Sequence, residues 1–329
     1  MRILITGACG FVGRHLASEL SAAGHVVLAT DLHDKPPDPP FTAGVEYRTC
    51  NLLDGSATGA LLDRCRPDAV CHLAAQSSAG HSFTDPKGTF DANLYGTLNI
   101  LEAVRKRKGE NGEGKVRILS IGSSEEYGRR SPDEMPLGET SPIEPVSPYA
   151  VSKAAQGMLA LQYWRSHGIQ CILTRSFSHT GPGQADRFVL PSFARQCAEI
   201  AAGSRDPVLR VGNLDVVRDF LDVRDVVRAY RLLIEHGMAG QVYNVCSGKG
   251  LALSDALDRM IGAVPANIVV ERDQARFRPA DVPVMIGDYG KLLAAIEWRP
   301  LIDTERMLTD LMQYWERVVG DMAAGGAKT

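Results

Sequence analysis

Tyr149 and Lys153 are the residues whose types and spacing point most directly to chemistry. They lie near the start of residues 148–166, a segment whose apolar residues recur at helical spacing. A separation of four residues places the phenol and the ammonium on one face of a helix, and a nearby cation lowers the pKa of a phenol. The pair can therefore pass a proton to or from a substrate oxygen, although Tyr-x-x-x-Lys alone is also common on helix surfaces.

A hydroxyl group upstream of this helix makes the pair more specific. Ser123 lies 26 residues before Tyr149, just after an apolar run that we predict to be a buried strand. Its side chain can bind the same substrate oxygen, and Ser124 is the neighbouring hydroxyl most easily confused with it. We therefore predict that Ser123, Tyr149 and Lys153 converge at one oxygen atom.

A glycine-rich segment directly follows the first predicted strand. It carries the pattern Gly-x-x-Gly-x-x-Gly in Gly7, Gly10, Phe11, Val12 and Gly13. Such glycines make a tight turn and let the backbone approach a pyrophosphate, while the N-terminus of the following helix offers amides and partial positive charge. The pattern predicts a dinucleotide site; a glycine-rich turn without a ligand is the alternative.

An acidic residue ends the second predicted strand. A carboxylate at Asp31 can accept hydrogen bonds from both ribose hydroxyls and would repel a 2′-phosphate. This favours NAD(H) as the cofactor, with NADP(H) second because His33 and Lys35 soften the preference. A helix cap or turn is the other interpretation of Asp31.

Short apolar runs alternate with helical patterns through the first half of the chain. Continuous apolar strands suit a sheet covered on both faces, and strand–helix alternation implies right-handed crossovers. The predicted fold is α/β, a Rossmann-like doubly wound parallel sheet. We predict strands at residues 2–6, 26–30, 45–48, 69–73, 116–121 and 171–175, and helices at residues 11–23, 56–64, 86–108 and 148–166.

The regular alternation ends near residue 181. We predict a smaller mixed α/β C-terminal substrate lobe, so that residues 1–180 bind the cofactor and carry the catalytic residues. Residues 181–329 would form the lobe, interleaved with late strands of the main sheet. Residues 35–40 and 109–114 are rich in proline or glycine and are predicted surface loops.

Composition limits the partners. A net charge of −3 argues against nucleic acid, which rewards clustered positive charge. The seven cysteines are scattered and lack Cys-x-x-Cys spacing, which predicts a reducing cytoplasm and the absence of a metal such as structural zinc. Apolar runs stay well short of the ~20 residues of a membrane helix, and the first strand begins so early that we expect no signal peptide.

Taken together, these motifs resemble the extended short-chain dehydrogenases/reductases that act on nucleotide sugars. In that family the first residue of a Ser/Thr-x-x-x-Tyr-Gly segment is catalytic, which matches Ser123, four residues before Tyr127. The resemblance extends from residue 1 to about residue 317. It implies that Lys153 also holds the nicotinamide ribose, and it implies cofactor contacts at Asn51, Leu52, Leu73, Ala74, Ala75, Gln76, Asn93, Tyr149, Lys153, Ser176 and Ser178.

Segments of the second half, such as residues 175–184 and 243–248, resemble reductases of GDP-6-deoxy-4-keto-D-mannose. The resemblance implies that NAD(P)H reduces the C4 ketone of this GDP-linked 6-deoxyhexose to GDP-D-rhamnose. Guanidinium groups suit diphosphate oxygens, although an ion pair of Arg218 with Asp219 or Asp222 is the alternative. One departure is Ser178, where the family usually has an asparagine that contacts the sugar diphosphate. Implied substrate contacts are Ser77, Ser124, Ser178, Arg187, Val189, Arg218 and Arg278.

Glu125 keeps a second function open. Dehydratases of this family place a catalytic glutamate at this position, because they must also remove a C5 proton and expel the C6 hydroxyl. The alternative function is therefore GDP-mannose 4,6-dehydratase, or another nucleotide-sugar dehydratase or 4-epimerase. A non-catalytic nucleotide sensor is a third interpretation, but such proteins typically lack the tyrosine or lysine that this chain has at positions 149 and 153.

The predicted helices 86–108 and 148–166 carry apolar residues on more than one face. Relatives dimerise by pairing these two helices into a four-helix bundle, so the resemblance implies a homodimer. Packing of both helices against their own sheet is the alternative.

Overall fold

The computed structural model describes residues 1–37, 40–111, 116–277 and 282–326. Its strands are β1 (Arg2–Thr6), β2 (Val26–Asp31), β3 (Glu46–Thr49), β4 (Ala69–His72), β5 (Arg117–Ser123), β6 (Gln170–Ser176), β7 (Ser178–Thr180), β8 (Val208–Val211), β9 (Val217–Asp222), β10 (Val242–Val245), β11 (Gly250–Ala252), β12 (Val269–Arg272) and β13 (Val284–Met285). Its α-helices are α1 (Phe11–Ala22), α2 (Gly55–Cys65), α3 (Ala79–Thr84), α4 (Pro86–Phe90), α5 (Gly96–Asn111), α6 (Pro148–His167), α7 (Val189–Ala201), α8 (Val223–His236), α9 (Leu253–Gly262), α10 (Gly290–Ile296) and α11 (Thr304–Gly326).

A seven-stranded parallel sheet forms the centre of the fold, in the order β10-β6-β5-β4-β1-β2-β3. Its inner strands are apolar and buried because helices cover both faces; every residue of β4 is buried. One apolar cluster packs α1 and α8 on one face, and another packs α2, α5 and α6 on the other. This confirms the predicted Rossmann-like α/β class.

A second, smaller layer follows β6. Strands β11, β9 and β13 form a sheet to which β7 adds by pairing with β9, and β8 pairs with β12. Helices α7, α9 and α11 pack over a separate apolar cluster. Strand β10, although late in the chain, returns to the main sheet beside β6. The division at residue 180 stays a prediction.

Two predicted segments differ in the structure. The helix predicted at residues 86–108 is divided by a π-helical turn, Asp91–Tyr95, which separates α4 from α5. Helix α5 then continues to Asn111, so the start of the loop predicted at 109–114 was wrong, and residues 112–114 lie outside the described residues. Residues 38 and 39 of the other predicted loop also lie outside them.

Residues at the two ends of α6 explain where this helix begins and ends. The Ser147 hydroxyl accepts a hydrogen bond from the backbone N–H of Ala150 (3.1 Å), and Pro148 occupies the first turn, where its missing N–H costs nothing. Gly168 ends the helix with a left-handed φ of 62°. This places Tyr149 in the first turn. Across the described ranges, each helix falls short of the length or the apolarity that a membrane crossing requires.

Candidate active site

Ser123 and Tyr149 meet where β5 ends and α6 begins. The Ser123 side chain caps the short 3-10 helix Ser124–Tyr127 by accepting a hydrogen bond from the backbone N–H of Glu125 (3.2 Å). The same side chain lies beside the phenol of Tyr149 and acts to lower the pKa of that phenol. The two hydroxyl groups therefore lie within reach of a common substrate oxygen.

Lys153 lies one helical turn beyond Tyr149 and is almost fully buried. Its Nζ donates to the carbonyl oxygen of Ile121 (2.7 Å) and to Oε1 of Gln156 (3.0 Å), so two of the three ammonium donors are fixed by the protein. Burial lowers the pKa of Lys153 to about 8, and the negative charge of Glu126 acts in the opposite direction.

The pKa of Tyr149 is raised above its ordinary value, which corrects the expectation that Lys153 would lower it. Burial is the main cause, followed by the negative charge of Glu125, and the Ser123 side chain offsets these effects only in part. The phenol is therefore protonated at neutral pH, as a group that donates a proton must be.

A buried ion pair, which the sequence reasoning missed, lies directly behind Ser123. Glu126 accepts a hydrogen bond from the backbone N–H of Ser123 through Oε1 (2.8 Å), and its Oε2 lies 3.1 Å from Nε of Arg175 on β6. Both side chains are largely shielded from solvent, with exposed fractions of 5% for Glu126 and 9% for Arg175. The Ser-x-x-Glu spacing is a capping-box signature and could have revealed half of this arrangement.

The glycine segment forms a close turn between β1 and α1. Gly7 has a φ of 68°, and a Cβ there would lie 2.7 Å from the backbone of Ala74. A Cβ on Gly13 would lie 2.6 Å from the carbonyl oxygens of Gly7 and Ala8. Gly10 caps α1 in extended conformation. Backbone atoms therefore leave no room for a side chain at Gly7 or Gly13. Such a tight turn lets the pyrophosphate of a dinucleotide approach the backbone closely.

Asp31 faces this turn from the end of β2. Its Oδ2 accepts from the backbone N–H of Cys9 (2.9 Å) and its Oδ1 from that of Leu32 (2.8 Å). Nε2 of His33 lies 4.0 Å from Oδ1. The carboxylate is thereby held beside the glycine turn, where a dinucleotide ribose would lie. Phe11 and Val12, the first residues of α1, are half-buried.

The loop after β4 is held by Asn93, which stands in the π-helical turn. The Asn93 side chain accepts from the backbone N–H of Gln76 (2.7 Å) and donates to its carbonyl oxygen (3.1 Å) and to Oγ of Ser152 (2.8 Å). Asn93 is fully buried, and its side chain supports this loop. The loop residues Leu73, Ala74, Ala75 and Gln76 are half-buried.

Some of the remaining predicted cofactor contacts are buried, and others are exposed or half-buried. Ser176 is buried and its hydroxyl hydrogen-bonds with that of Tyr230 (2.6 Å), and Leu52 belongs to the apolar core. Asn51 is exposed and accepts from the backbone N–H of Leu53 (3.0 Å). Ser178 is half-buried on β7, opposite Phe220 of β9.

The predicted substrate contacts are spread over the second layer, the β4 loop and the 3-10 helix after β5. Ser77 is exposed and Ser124 is buried, while Val189 begins α7. Arg187 is exposed, with its guanidinium carbon 5.1 Å from the centre of the Phe188 ring. Arg278 lies outside the described residues.

Arg218, on β9, donates to the carbonyl oxygen of Val217 (3.0 Å). The described contacts of the two suggested acidic partners are with other groups. Asp219 is fully buried and accepts from the backbone N–H groups of three residues, and Asp222 caps α8 and pairs with Arg224. The donors to Asp219 are the backbone N–H groups of Ser247, Gly248 and Gly287 and the Ser247 hydroxyl.

Sheet topology explains why these groups come together. Parallel neighbouring strands end at the same edge of a sheet, and β1, β2, β4, β5 and β6 are neighbours in this one. The glycine turn and the β4 loop follow the carboxyl ends of β1 and β4, and Asp31 and Ser123 are the last residues of β2 and β5. Ligands of open α/β sheets bind at this edge.

Comparison with known proteins agrees with this geometry. The family model described as GDP-mannose 4,6 dehydratase matches residues 4–311. A GDP-6-deoxy-D-mannose reductase of Pseudomonas aeruginosa is 38% identical, with 96% of this chain and 97% of the relative covered. A solved structure of RMD from Pseudomonas aeruginosa complexed with NADPH superposes with a TM-score of 0.81 at 34% identity, covering 96% of this chain and 99% of that one. A UDP-glucose 4-epimerase from Thermus thermophilus in complex with NAD gives a TM-score of 0.84 at 28% identity, with coverage of 96% and 99%.

Proposed function

Because the chain belongs to the GDP-mannose 4,6-dehydratase family, we propose that it reduces the C4 ketone of GDP-4-keto-6-deoxy-D-mannose with NAD(P)H to give GDP-D-rhamnose. The observation that carries this choice within the family is the 38% identity with a GDP-6-deoxy-D-mannose reductase over nearly the whole of both chains. A reduction needs one positioned proton donor, and the protonated Tyr149 phenol supplies it.

Each residue of the site has one task in this reaction. Gly7, Gly10, Gly13 and Asp31 would hold the cofactor, which when bound supplies a hydride to C4. Tyr149 donates its proton to the oxygen at C4, and the Ser123 hydroxyl hydrogen-bonds the same oxygen as negative charge develops there. The Lys153 ammonium has one donor left after Ile121 and Gln156, and this donor would hold the nicotinamide ribose of the cofactor.

The test is a comparison of two substrates. Purified protein given GDP-4-keto-6-deoxymannose and NADH should consume NADH and yield GDP-D-rhamnose. The same protein given GDP-mannose alone should give no 4-keto product. Turnover of GDP-mannose without added reductant would reverse the proposal in favour of a dehydratase.

Glu125 is the observation that favours this second candidate. Glu125 lies in the 3-10 helix that Ser123 caps, and its negative charge raises the pKa of the Tyr149 phenol. A carboxylate in this position suits the additional proton transfers of a 4,6-dehydratase. The two-substrate comparison decides between the candidates directly.

The proposal favours NADH over NADPH. Replacing Asp31 with alanine should shift the ratio of the two dissociation constants toward NADPH by about ten- to a hundredfold, because a carboxylate beside a 2′-phosphate is repulsive. Calorimetric titration of both cofactors measures this. Asp34→Ala removes the same charge from an exposed position three residues on and should leave the ratio unchanged. Equal dissociation constants in the unmodified protein would contradict the role given to Asp31.

A homodimer and a cytoplasmic location complete the proposal. Several apolar residues of the two helices predicted to pair belong to the apolar cluster on their own face of the sheet: Leu98, Leu101, Leu159, Leu161 and Trp164. Met158, however, is 60% exposed on α6, and Tyr95, just before α5, is 54% exposed. These exposed side chains offer α5 and α6 an apolar surface for a second copy. The seven scattered cysteines, each a free thiol, suit a reducing compartment.

Replacing Met158 with aspartate should convert the dimer to a monomer, since a buried unpaired charge at a subunit interface is strongly unfavourable. Light scattering measures the mass of each variant. Met238→Asp is the matched control, because Met238 is similarly exposed (66%) but follows α8. A monomeric unmodified protein would refute the dimer.

A further inference from the structure

Glu126 is a buried carboxylate for which the proposed reaction has no direct use. It follows Ser123 by three residues, in the 3-10 helix that Ser123 caps, and it is buried. A carboxylate in such a place is costly unless its oxygens are bonded to donors. One oxygen binds the backbone N–H of Ser123 and the other binds Arg175, as described above.

Arg175 binds Oε2 of Glu126 and is itself held by other groups. The guanidinium carbon lies 4.8 Å from the centre of the Tyr127 ring, and Nη1 donates to the Tyr127 hydroxyl (3.1 Å) and to the carbonyl oxygen of Glu139 (3.0 Å). The Tyr127 hydroxyl in turn donates to Oδ1 of Asn244 on β10 (2.7 Å). The ion pair thus connects the end of β5 to β6 and β10.

The opposite side of the pair faces the proposed reaction centre. Glu126 holds the backbone N–H of Ser123, and the side chain of Ser123 acts on the phenol of Tyr149. The 3-10 helix that carries Glu126 packs against α6, and the charge of Glu126 acts on Lys153 of that helix to raise its pKa. A group that fixes one member of the site and acts electrostatically on another can tune the reaction without touching substrate.

We propose that Glu126, oriented by Arg175, is a positioning residue that holds Ser123 in place and supplies the negative charge that keeps Lys153 an ammonium. This deepens the proposed function and rests on it for the effect on turnover. Glutamine at position 126 replaces one of the two carboxylate oxygens with an NH2 group, so in the same position of the side chain one of the two donors, Ser123 N–H or Arg175 Nε, faces a donor instead of an acceptor. It also removes the charge.

Other ionisable groups act on the pKa values of Tyr149 and Lys153. Glu125 and Glu126 from the 3-10 helix and Tyr230 from α8 act on Tyr149. His72, at the end of β4, lies near Lys153; burial lowers the pKa of His72 to about 3, so this ring is neutral at working pH. Glu126 is therefore the acidic group that opposes deprotonation of Lys153.

Glu126→Gln gives a directional test. Loss of the negative charge lowers the pKa of Lys153, which is about 8 in the unmodified protein, so the ammonium and the activity are lost at a lower pH. We expect the alkaline limb of kcat to move down by about 1 pH unit. We also expect kcat to fall by about ten- to a hundredfold, with KM for the sugar nucleotide and Kd for NADH within about twofold.

A readout independent of turnover is the titration of Lys153 by NMR in protein labelled with ¹³Cε-lysine, with the resonance assigned from Lys153→Met. It should shift to lower pH in Glu126→Gln. Glu134→Gln is the matched control, because Glu134 forms the same capping box with Ser131 in an exposed turn. In this control both the titration and kcat should be unchanged.

The experiment distinguishes failure of the role given to Glu126 from failure of the proposed function. An unchanged Lys153 titration in Glu126→Gln, or an equal loss of kcat in Glu134→Gln, overturns the role of Glu126. If removing one partner of the buried pair prevents folding, Glu126→Gln/Arg175→Gln removes both charges and takes the same titration. If the unmodified protein does not reduce the keto sugar, the proposed function fails, while the NMR titration still decides the role of Glu126.

Discussion

Tyr149→Phe should lower kcat for reduction of the keto sugar by about a thousandfold, while Kd for NADH stays within about twofold. Phenylalanine keeps the ring and its packing but removes the proton donor and the partner of Ser123, and a positioned general acid contributes about 10²–10⁴ to the rate. Steady-state kinetics measures kcat, and quenching of protein fluorescence by NADH measures Kd.

A second phenol on α6 provides the control. The Tyr163 hydroxyl hydrogen-bonds with Glu102, so Tyr163→Phe removes one hydrogen bond, at a cost of about 1 kcal/mol in stability. It should leave kcat unchanged, because this phenol lies more than three helical turns from Tyr149. Full activity in Tyr149→Phe would show that another group donates the proton.

Gly13→Ala should weaken NADH binding by about a hundredfold or more and lower the free energy of unfolding by about 1–3 kcal/mol. The added Cβ would lie 2.6 Å from two backbone oxygens and 2.7 Å from the Cα of Ala8, none of which can rotate away. The turn must shift, and the backbone amides that face the pyrophosphate shift with it. Fluorescence titration and thermal unfolding measure the two effects.

Gly59→Ala is the matched control for this change. Gly59 lies in α2, and a Cβ there meets nothing within 4 Å. Alanine in a helix interior is favoured over glycine by about 1 kcal/mol, so this variant should gain stability and keep its affinity for NADH. Unaltered NADH binding in Gly13→Ala would mean that the glycine turn does not hold the dinucleotide.

The parts of the fold that sequence predicts best have local causes. Strand β1, the glycine turn and α1 follow one another within 22 residues, and each has its own signal in apolar runs and glycine spacing. The contact of Ser123 with Tyr149 is predictable because one ends a strand and the other begins the next long helix. The boundaries of α6 are likewise predictable, because Ser147 caps its N-terminus and Gly168 ends it.

What sequence misses depends on distant parts of the chain. Glu126 and Arg175 are 49 residues apart, and nothing local indicates that β6 brings the guanidinium behind Ser123. The pKa of Tyr149 follows from burial, which only the packed structure determines. Asn93 matched a family motif, but the π-helical turn that directs its side chain to the β4 loop has no sequence signature of its own.

The return of β10 to the edge of the main sheet has a consequence during synthesis. Until residues 242–245 leave the ribosome, β6 presents an open row of backbone donors and acceptors, a template for pairing with other chains. The main sheet is therefore completed late, after most of the second layer has been synthesised. Strands β6 and β10 pair with each other but lie on opposite sides of residue 180 in the sequence. In a chimera of two relatives joined at residue 180, β6 would therefore come from one parent and its edge partner β10 from the other.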